Sequence, residues 1–244
     1  MQIKEEFIQI KNATEIQKIV IPSQNTVPQN QKHLICFLGG NWELQDMEGY
    51  IKNNWNWATE SGITLHFFNY PKLGLGKAKS LMLSKRVDYG MSIVLNLLED
   101  GIKPDDIILF GNCMGGHIAA EVHKKFKDEK VHLRCIVDSV ASSFKQTLLS
   151  YLGFVGKLKT LLAPVFKLIL KIFGIHWKTH KVLNSINPYT MCFNREGDET
   201  IKKQAQLVIK IQKIEQSGRK KDYQKKEHLK ALKNMQNFLS RILY

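Results

Sequence analysis

The sequence predicts an α/β fold, a doubly wound, mostly parallel sheet with a helical cap insertion, and three observations predict it. Apolar runs of strand length alternate with segments of helical period through the first 140 residues. From Ile63 to Val137 the order strand, helix, strand, helix, strand is uninterrupted. A chain of 244 residues with 43% hydrophobic content is long enough to bury a sizeable core in one domain. Parallel strands joined through a helix cross over right-handed almost without exception. Helices must therefore cover both faces, and the carboxyl ends of the strands must line one edge.

The alternating segments FIQI and IQKIVI read as leading strands. Pro28 and a polar loop then lead into the buried run His33 to Leu38, which Gly39 and Gly40 end. Gln45 to Ser61 carries helical spacing, and Ile63 to Tyr70 returns to a strand stopped by Pro71. A helix from Leu81 to Asp100 brings Leu83, Val87, Met91, Val94 and Leu98 near one face, and Gly101 terminates it. The strand Ile107 to Phe110 follows, then a helix after Cys113 with Ile118, Ala119 and Val122 inward, then the buried strand Leu133 to Val137.

Leu148 to Ile175 breaks the alternation, an apolar helical stretch divided by Gly153, Gly156 and Pro164. Lys157, Lys159, Lys167 and Lys171 interrupt every window long enough to cross a bilayer, so no transmembrane segment is expected. The expected organisation is one domain over 1–244 with a helical cap or lid inserted over 142–186. Strand patterns resume at Tyr189 to Phe193 and, more weakly, at Leu207 to Ile214, and an amphipathic helix runs from Leu229 to Leu243.

Composition bounds the partners. The net charge of +14 resembles a nucleic-acid signature, but its distribution does not. From Ile201 to Tyr244 there are twelve Lys or Arg against three Asp or Glu, so most of the excess is a basic terminal stretch. Nucleic acid is not expected as a partner; a peripheral anionic membrane surface is the better match to such a stretch. The opening residues have charges spread through them and no apolar run, so a cytoplasmic protein without a cleavable signal is expected. Cys36, Cys113, Cys135 and Cys192 stand singly with no CxxC pair, and neither disulfides nor a metal is expected. His176 and His180 have a metal-ligand spacing but no third ligand.

The segment IILFGNCMGGHIAAEVH carries the chemistry. It reads as a strand, then Gly-x-Cys-x-Gly, then a helix. A side chain held at the apex of such a turn has a strained backbone, and side chains two positions before and after it would meet the neighbouring helix and strand. Gly111 and Gly115 remove them. The helix starting near Met114 aims its N–H groups and positive dipole end at Cys113, which favours thiolate over thiol. Cys36, Cys135 and Cys192 sit within apolar strands and read as core residues.

Three segments, HLICFLGGN, FFNYPKLGLGKAKS and FGNCMGGH, together resemble the α/β-hydrolase superfamily over nearly the whole chain. The second is similar to an Asn-Tyr-x-Gly-x-Gly-x-Ser stretch of many members. The chain departs from most of them in carrying Cys for Ser, a choice shared by dienelactone hydrolases and by polyhydroxyalkanoate synthases. In size and cap it resembles a small group of hydrolases from intracellular bacteria, some delivered into host cells.

The resemblance implies oxyanion donors from the N–H of Met114 and of Asn41 or Trp42, just after Gly40, with Gly40 and His117 beside the substrate. It also implies the chain order nucleophile, acid, base. Asp198, after the strand ending MCFN, stands where the acid is expected, with Asp138 after the earlier strand as the alternative. His228 follows Asp198 directly before the last amphipathic helix and is the expected base. His117 lies four residues beyond Cys113 and points along its helix, as packing or pocket wall. Leu161, Leu162, Val165, Phe166 and Leu168 in the cap suit an apolar acyl chain. The expected activity is hydrolysis of an ester or thioester of a small-molecule or lipid acyl substrate, without a cofactor. The alternatives are acyl transfer at the same cysteine, or an inactive scaffold that binds a partner or membrane.

Overall fold

The computed structural model describes residues 3–10, 14–24, 31–39, 44, 49, 51, 53–70, 83–143, 164, 178–183, 189–193 and 206–207. Seven strands form one sheet: β1 (Lys4–Ile10), β2 (Thr14–Ile21), β3 (Lys32–Phe37), β4 (Ile63–Phe68), β5 (Ile107–Asn112), β6 (Arg134–Asp138) and β7 (Thr190–Phe193). Among the described residues the helices α1 (Asn56–Glu60), α2 (Leu83–Glu99), α3 (Met114–Asp128) and α4 (Thr179–Val182) accompany them. The spatial order is β1-β2-β4-β3-β5-β6-β7. The two leading strands pair antiparallel to each other and β2 pairs antiparallel to β4, while β4, β3, β5, β6 and β7 run parallel.

The order follows from the crossovers. The chain lays down β3, moves outward to β4, then returns through α2 to place β5 on the other side of β3. The winding therefore reverses between β3 and β5, the switch point at which open sheets of this kind form their ligand crevice. Alternation along the strands sorts side chains between two cores. Ile35, Phe37, Ile107, Leu109, Cys135 and Val137 pack with α2 and α3. On the opposite face Leu34, Cys36, Leu65, Phe67 and Phe110 pack with Trp55 and Ala58. Each fully buried Leu, Ile or Phe contributes about 1.5–3 kcal/mol, so a register slip of one residue would empty both cores together.

Several element ends differ from the sequence expectation. β5 continues through Gly111 and Asn112, because these pair in register with Val137 and Asp138 of β6. β4 stops at Phe68, and the next residue, Asn69, sends its N–H to the Gln17 carbonyl at 3.0 Å. The helical spacing from Gln45 to Ser61 is interrupted at Trp55, which has φ −117° and stands before α1. Its indole is wedged edge-on against Phe67 and Phe110, with ring centroids 5.7 and 5.5 Å away. Of the strand expected at Leu207 to Ile214, Gln206 makes an isolated antiparallel bridge to Ala141 and Leu207 is helical; the rest lies outside the described residues, as does the helix Leu229 to Leu243. Of the expected cap, residues 142–143, 164 and 178–183 are described. Among the described residues no helix is long and apolar enough to cross a membrane.

Candidate active site

The corner between β5 and α3 is where local sequence and tertiary packing agree most closely. Cys113 has φ 51° and ψ −116°, outside the regions that side-chain-bearing residues ordinarily adopt. Such a conformation costs on the order of 1–3 kcal/mol and persists only where its surroundings hold it. They do so here through main-chain bonds. The Cys113 N–H donates to the Asp138 carbonyl at 3.0 Å, and its own carbonyl accepts from the Gly116 N–H at 3.3 Å.

The glycines on either side allow the approach. A Cβ on Gly111 would stand 2.5 Å from the Cα of Gly116, and one on Gly115 would overlap the carbonyl of Phe37 in β3. Side chains at these two positions would thus meet the following helix and the neighbouring strand. Cys113 itself is half-buried and packs against Ala141, whereas Cys36, Cys135 and Cys192 are buried in the core. Burial pushes the thiols of Cys36 and Cys135 well above the ordinary range, so both are inert at neutral pH.

Met114 opens α3, a helix of fifteen residues, so its N–H has no acceptor within the helix and faces the corner's own edge. Gly39, just past β3, lies so close that a Cβ on it would be 3.0 Å from that of Cys113. The chain therefore leaves β3 beside the cysteine. Leu44, five residues beyond Gly39, donates its N–H to Asn69 Oδ1 at 2.9 Å, and Asn69 in turn donates to the Gln17 side chain. Gly40, Asn41 and Trp42 lie outside the described residues.

Asp138 ends β6 directly beside the corner and is buried. Its carboxylate accepts from Asn112 Nδ2 at 3.1 Å and from Ser139 Oγ at 3.2 Å. Ser139 also has a positive φ, 48°, and its N–H reaches the Phe193 carbonyl of β7 at 3.1 Å. The edges of β5, β6 and β7 are thereby stitched together at the crevice. Asp198 and His228, the expected acid and base, lie outside the described residues.

His117 is buried, and its Nδ1 is hydrogen-bonded to the hydroxyl of Thr179 in α4. Burial pushes its pKa down to about 3, so the ring is neutral at physiological pH. His180, one of the pair with metal-ligand spacing, donates Nδ1–H to the Ser142 carbonyl at 2.8 Å, which ties α4 to the segment after β6.

Two residues that sequence reasoning passed over sit against the same corner. Arg86, near the start of α2, is 5% exposed, with its guanidinium 4.9 Å from the centre of the Tyr70 ring. Its Nη1 lies 3.6 Å from the Met114 sulfur. Burial pulls the arginine's pKa below its usual range, with Tyr70 acting in the opposite sense. Burial also raises the Tyr70 hydroxyl, so the phenol is neutral and can donate. A sequence signal existed in part, since Arg86 interrupts the apolar face of a helix.

A seven-stranded sheet in this order, with a strained residue on a glycine-flanked corner after the fifth strand, has the α/β-hydrolase fold. Solved structures share it at low identity. An α/β hydrolase from Vibrio vulnificus superposes with a TM-score of 0.62 at 14% identity, over 88% of this chain and 69% of that one. The esterase Pf2001 of Pyrococcus furiosus gives 0.60 at 17% identity, over 88% and 77%. The α/β hydrolase GrgF from a Penicillium species gives 0.58 at 14%, over 88% and 86%. No protein-family model and no curated protein matches the chain.

Proposed function

We propose that this chain hydrolyses carboxylic esters or thioesters through an acyl-enzyme formed on Cys113. The observation that carries the reading is Cys113 at φ 51°, half-exposed at the start of α3 and flanked by glycines that let β3 and the helix close around it. The sulfur attacks the carbonyl carbon while His228 takes its proton, and the carbonyl oxygen becomes an anion held by the N–H of Met114 and of Asn41 or Trp42. Collapse expels the alkoxide or thiolate, which leaves with the proton from His228. Water, deprotonated by the same histidine, then attacks the acyl carbon; the C–S bond breaks, Cys113 takes back the proton from His228, and the acid is released. Asp198 holds the imidazole tautomer. The Pyrococcus protein of this fold is an esterase, which supports the reaction class. The apolar residues of the 142–186 insertion support an apolar acyl chain, and its lysines with the basic terminal stretch suit an anionic lipid surface.

A second reading of the acid rests on Asp138, a buried carboxylate beside the corner, which would serve if the base approached from the β6 side.

The test is labelling of the native chain with iodoacetamide, followed by mass spectrometry, against Cys113→Ala. Cys113 should be the one cysteine of the four labelled before unfolding, and turnover of p-nitrophenyl and acyl-thioester substrates should vanish in the variant. Turnover that survives Cys113→Ala would overturn the proposal; product released only to an added alcohol or thiol would make the enzyme a transferase.

A further inference from the structure

Buried charges in proteins are paired, because a guanidinium taken out of water without a counter-charge is costly. Arg86 breaks that rule. Its Nε is buried and without a hydrogen-bond partner, and so is the hydroxyl of Tyr70 beneath it. Among the described residues no carboxylate pairs with it. The atom facing Nη1 is the Met114 thioether, a weak acceptor on a flexible side chain, standing where an oxygen would make a strong bond.

The surroundings favour one kind of occupant. The guanidinium offers a fork of donors, the neutral phenol offers an O–H, and the fifteen-residue helix α3 turns its N-terminal N–H groups and positive dipole end to the same corner. All of these are donors or positive. Met114 links this cluster to the reaction, since its side chain touches Arg86 and its N–H is the proposed oxyanion donor.

We infer that Arg86 and Tyr70 form a subsite for an anionic oxygen group, a carboxylate or a phosphate, which the substrate carries within a few bonds of its scissile carbonyl and which displaces the Met114 thioether. The inference rests on the hydrolase reading above and specifies its substrate class, an acyl compound with an anionic group near the reacting carbonyl.

Matched substrates test it. p-Nitrophenyl hemisuccinate against p-nitrophenyl butyrate places a carboxylate on the acyl side; S-butyryl-mercaptoethyl phosphate against S-butyryl-mercaptoethanol places a phosphate on the leaving side. The anionic member of one pair should have a kcat/KM about tenfold higher, and that pair names the source of the charge. Arg86→Met should reduce the preference about tenfold and Tyr70→Phe about threefold, with Arg86→Lys between parent and Arg86→Met. Tyr70→Phe keeps the ring and carries the test if Arg86→Met does not fold. Equal loss on both members of each pair would mean a packing role and overturn the subsite. If no ester is turned over and Cys113 is not labelled, the hydrolase reading fails separately. The subsite is then read from the melting temperature of the intact chain with monomethyl succinate or inorganic phosphate. A rise that Tyr70→Phe abolishes supports it, and no rise overturns it.

Discussion

Gly115→Ala is the sharpest probe of the corner, because the added methyl has nowhere to go. Its Cβ would overlap the Phe37 carbonyl and lie 2.8 Å from that of Leu38, and both are main chain, so neither can rotate aside. To restore ordinary contact, from 1.8 Å to 3.4 Å, the start of α3 has to retreat from β3 by about 1.6 Å, and a misplacement of about 1 Å already costs roughly a hundredfold in rate when it moves a reacting group. Overpacking of this kind destabilises by about 1–3 kcal/mol, and the value should sit at the upper end here. For a chain of this size that is a fall of roughly 6–12 °C in Tm. Gly49→Ala is the control, since a Cβ there meets nothing within 4 Å, and helix propensity alone should leave the protein unchanged or slightly more stable. The assay pairs a thermal melt followed by circular dichroism with the rate of Cys113 alkylation and ester turnover. If Gly115→Ala melts with the parent and reacts at the same rate, the close approach of helix to strand does not hold the cysteine, and the account of the corner is wrong.

Stability should fall on acidification. Burial lowers the pKa of His33 and His66, and takes His117 down to about 3 and His123 to about 4. Unfolded histidines titrate near 6.5, so below about that pH the unfolded chain binds more protons than the folded one. Each histidine then withdraws up to about 1.4 kcal/mol per pH unit until its folded pKa is reached. Urea midpoints at pH 7.5 and pH 5.5 check this, and equal midpoints would contradict the burial of these rings. The acid can be assigned by ranking two variants: Asp198→Asn should lower kcat by about a thousandfold or more, and Asp138→Asn by less than about tenfold; the reverse order moves the acid to β6. Asn69→Ala removes the acceptor of the Leu44 N–H and should cost about 1–3 kcal/mol in urea unfolding. It should also lower kcat more than it raises KM, because Leu44 stands two residues after Trp42 in the chain, a proposed oxyanion donor; unchanged kcat and stability would separate Asn69 from the oxyanion hole.

Strands buried on both faces write near-continuous apolar runs, which is why β3, β5 and β6 could be read along the chain to within one or two residues. The corner was legible for a similar reason. The sequence signal for the bend at Cys113 lies within the five residues Gly111 to Gly115, and glycine declares the need for close approach wherever it stands. Even so, the sequence did not say what the glycines avoid. The obstacle to Gly115 is the Phe37 carbonyl, 78 positions earlier in the chain.

Periodicity carries no partner information, so the tertiary structure alone decided the strand order, the antiparallel addition of β1 and β2, and the break at Trp55 imposed by Phe67 and Phe110. It likewise brought Arg86 over Tyr70 and against Met114, and set Asn69 between Gln17 and Leu44. Each of these is a meeting of residues from separate elements, settled by how helices and strands pack rather than by what any short segment prefers. The sequence by itself determined which residues must be buried and where the chain must turn tightly, because solvent and sterics act on every residue locally. Only the closed fold decided which polar groups would be trapped together at the crevice, because that depends on distances between segments that no local preference encodes.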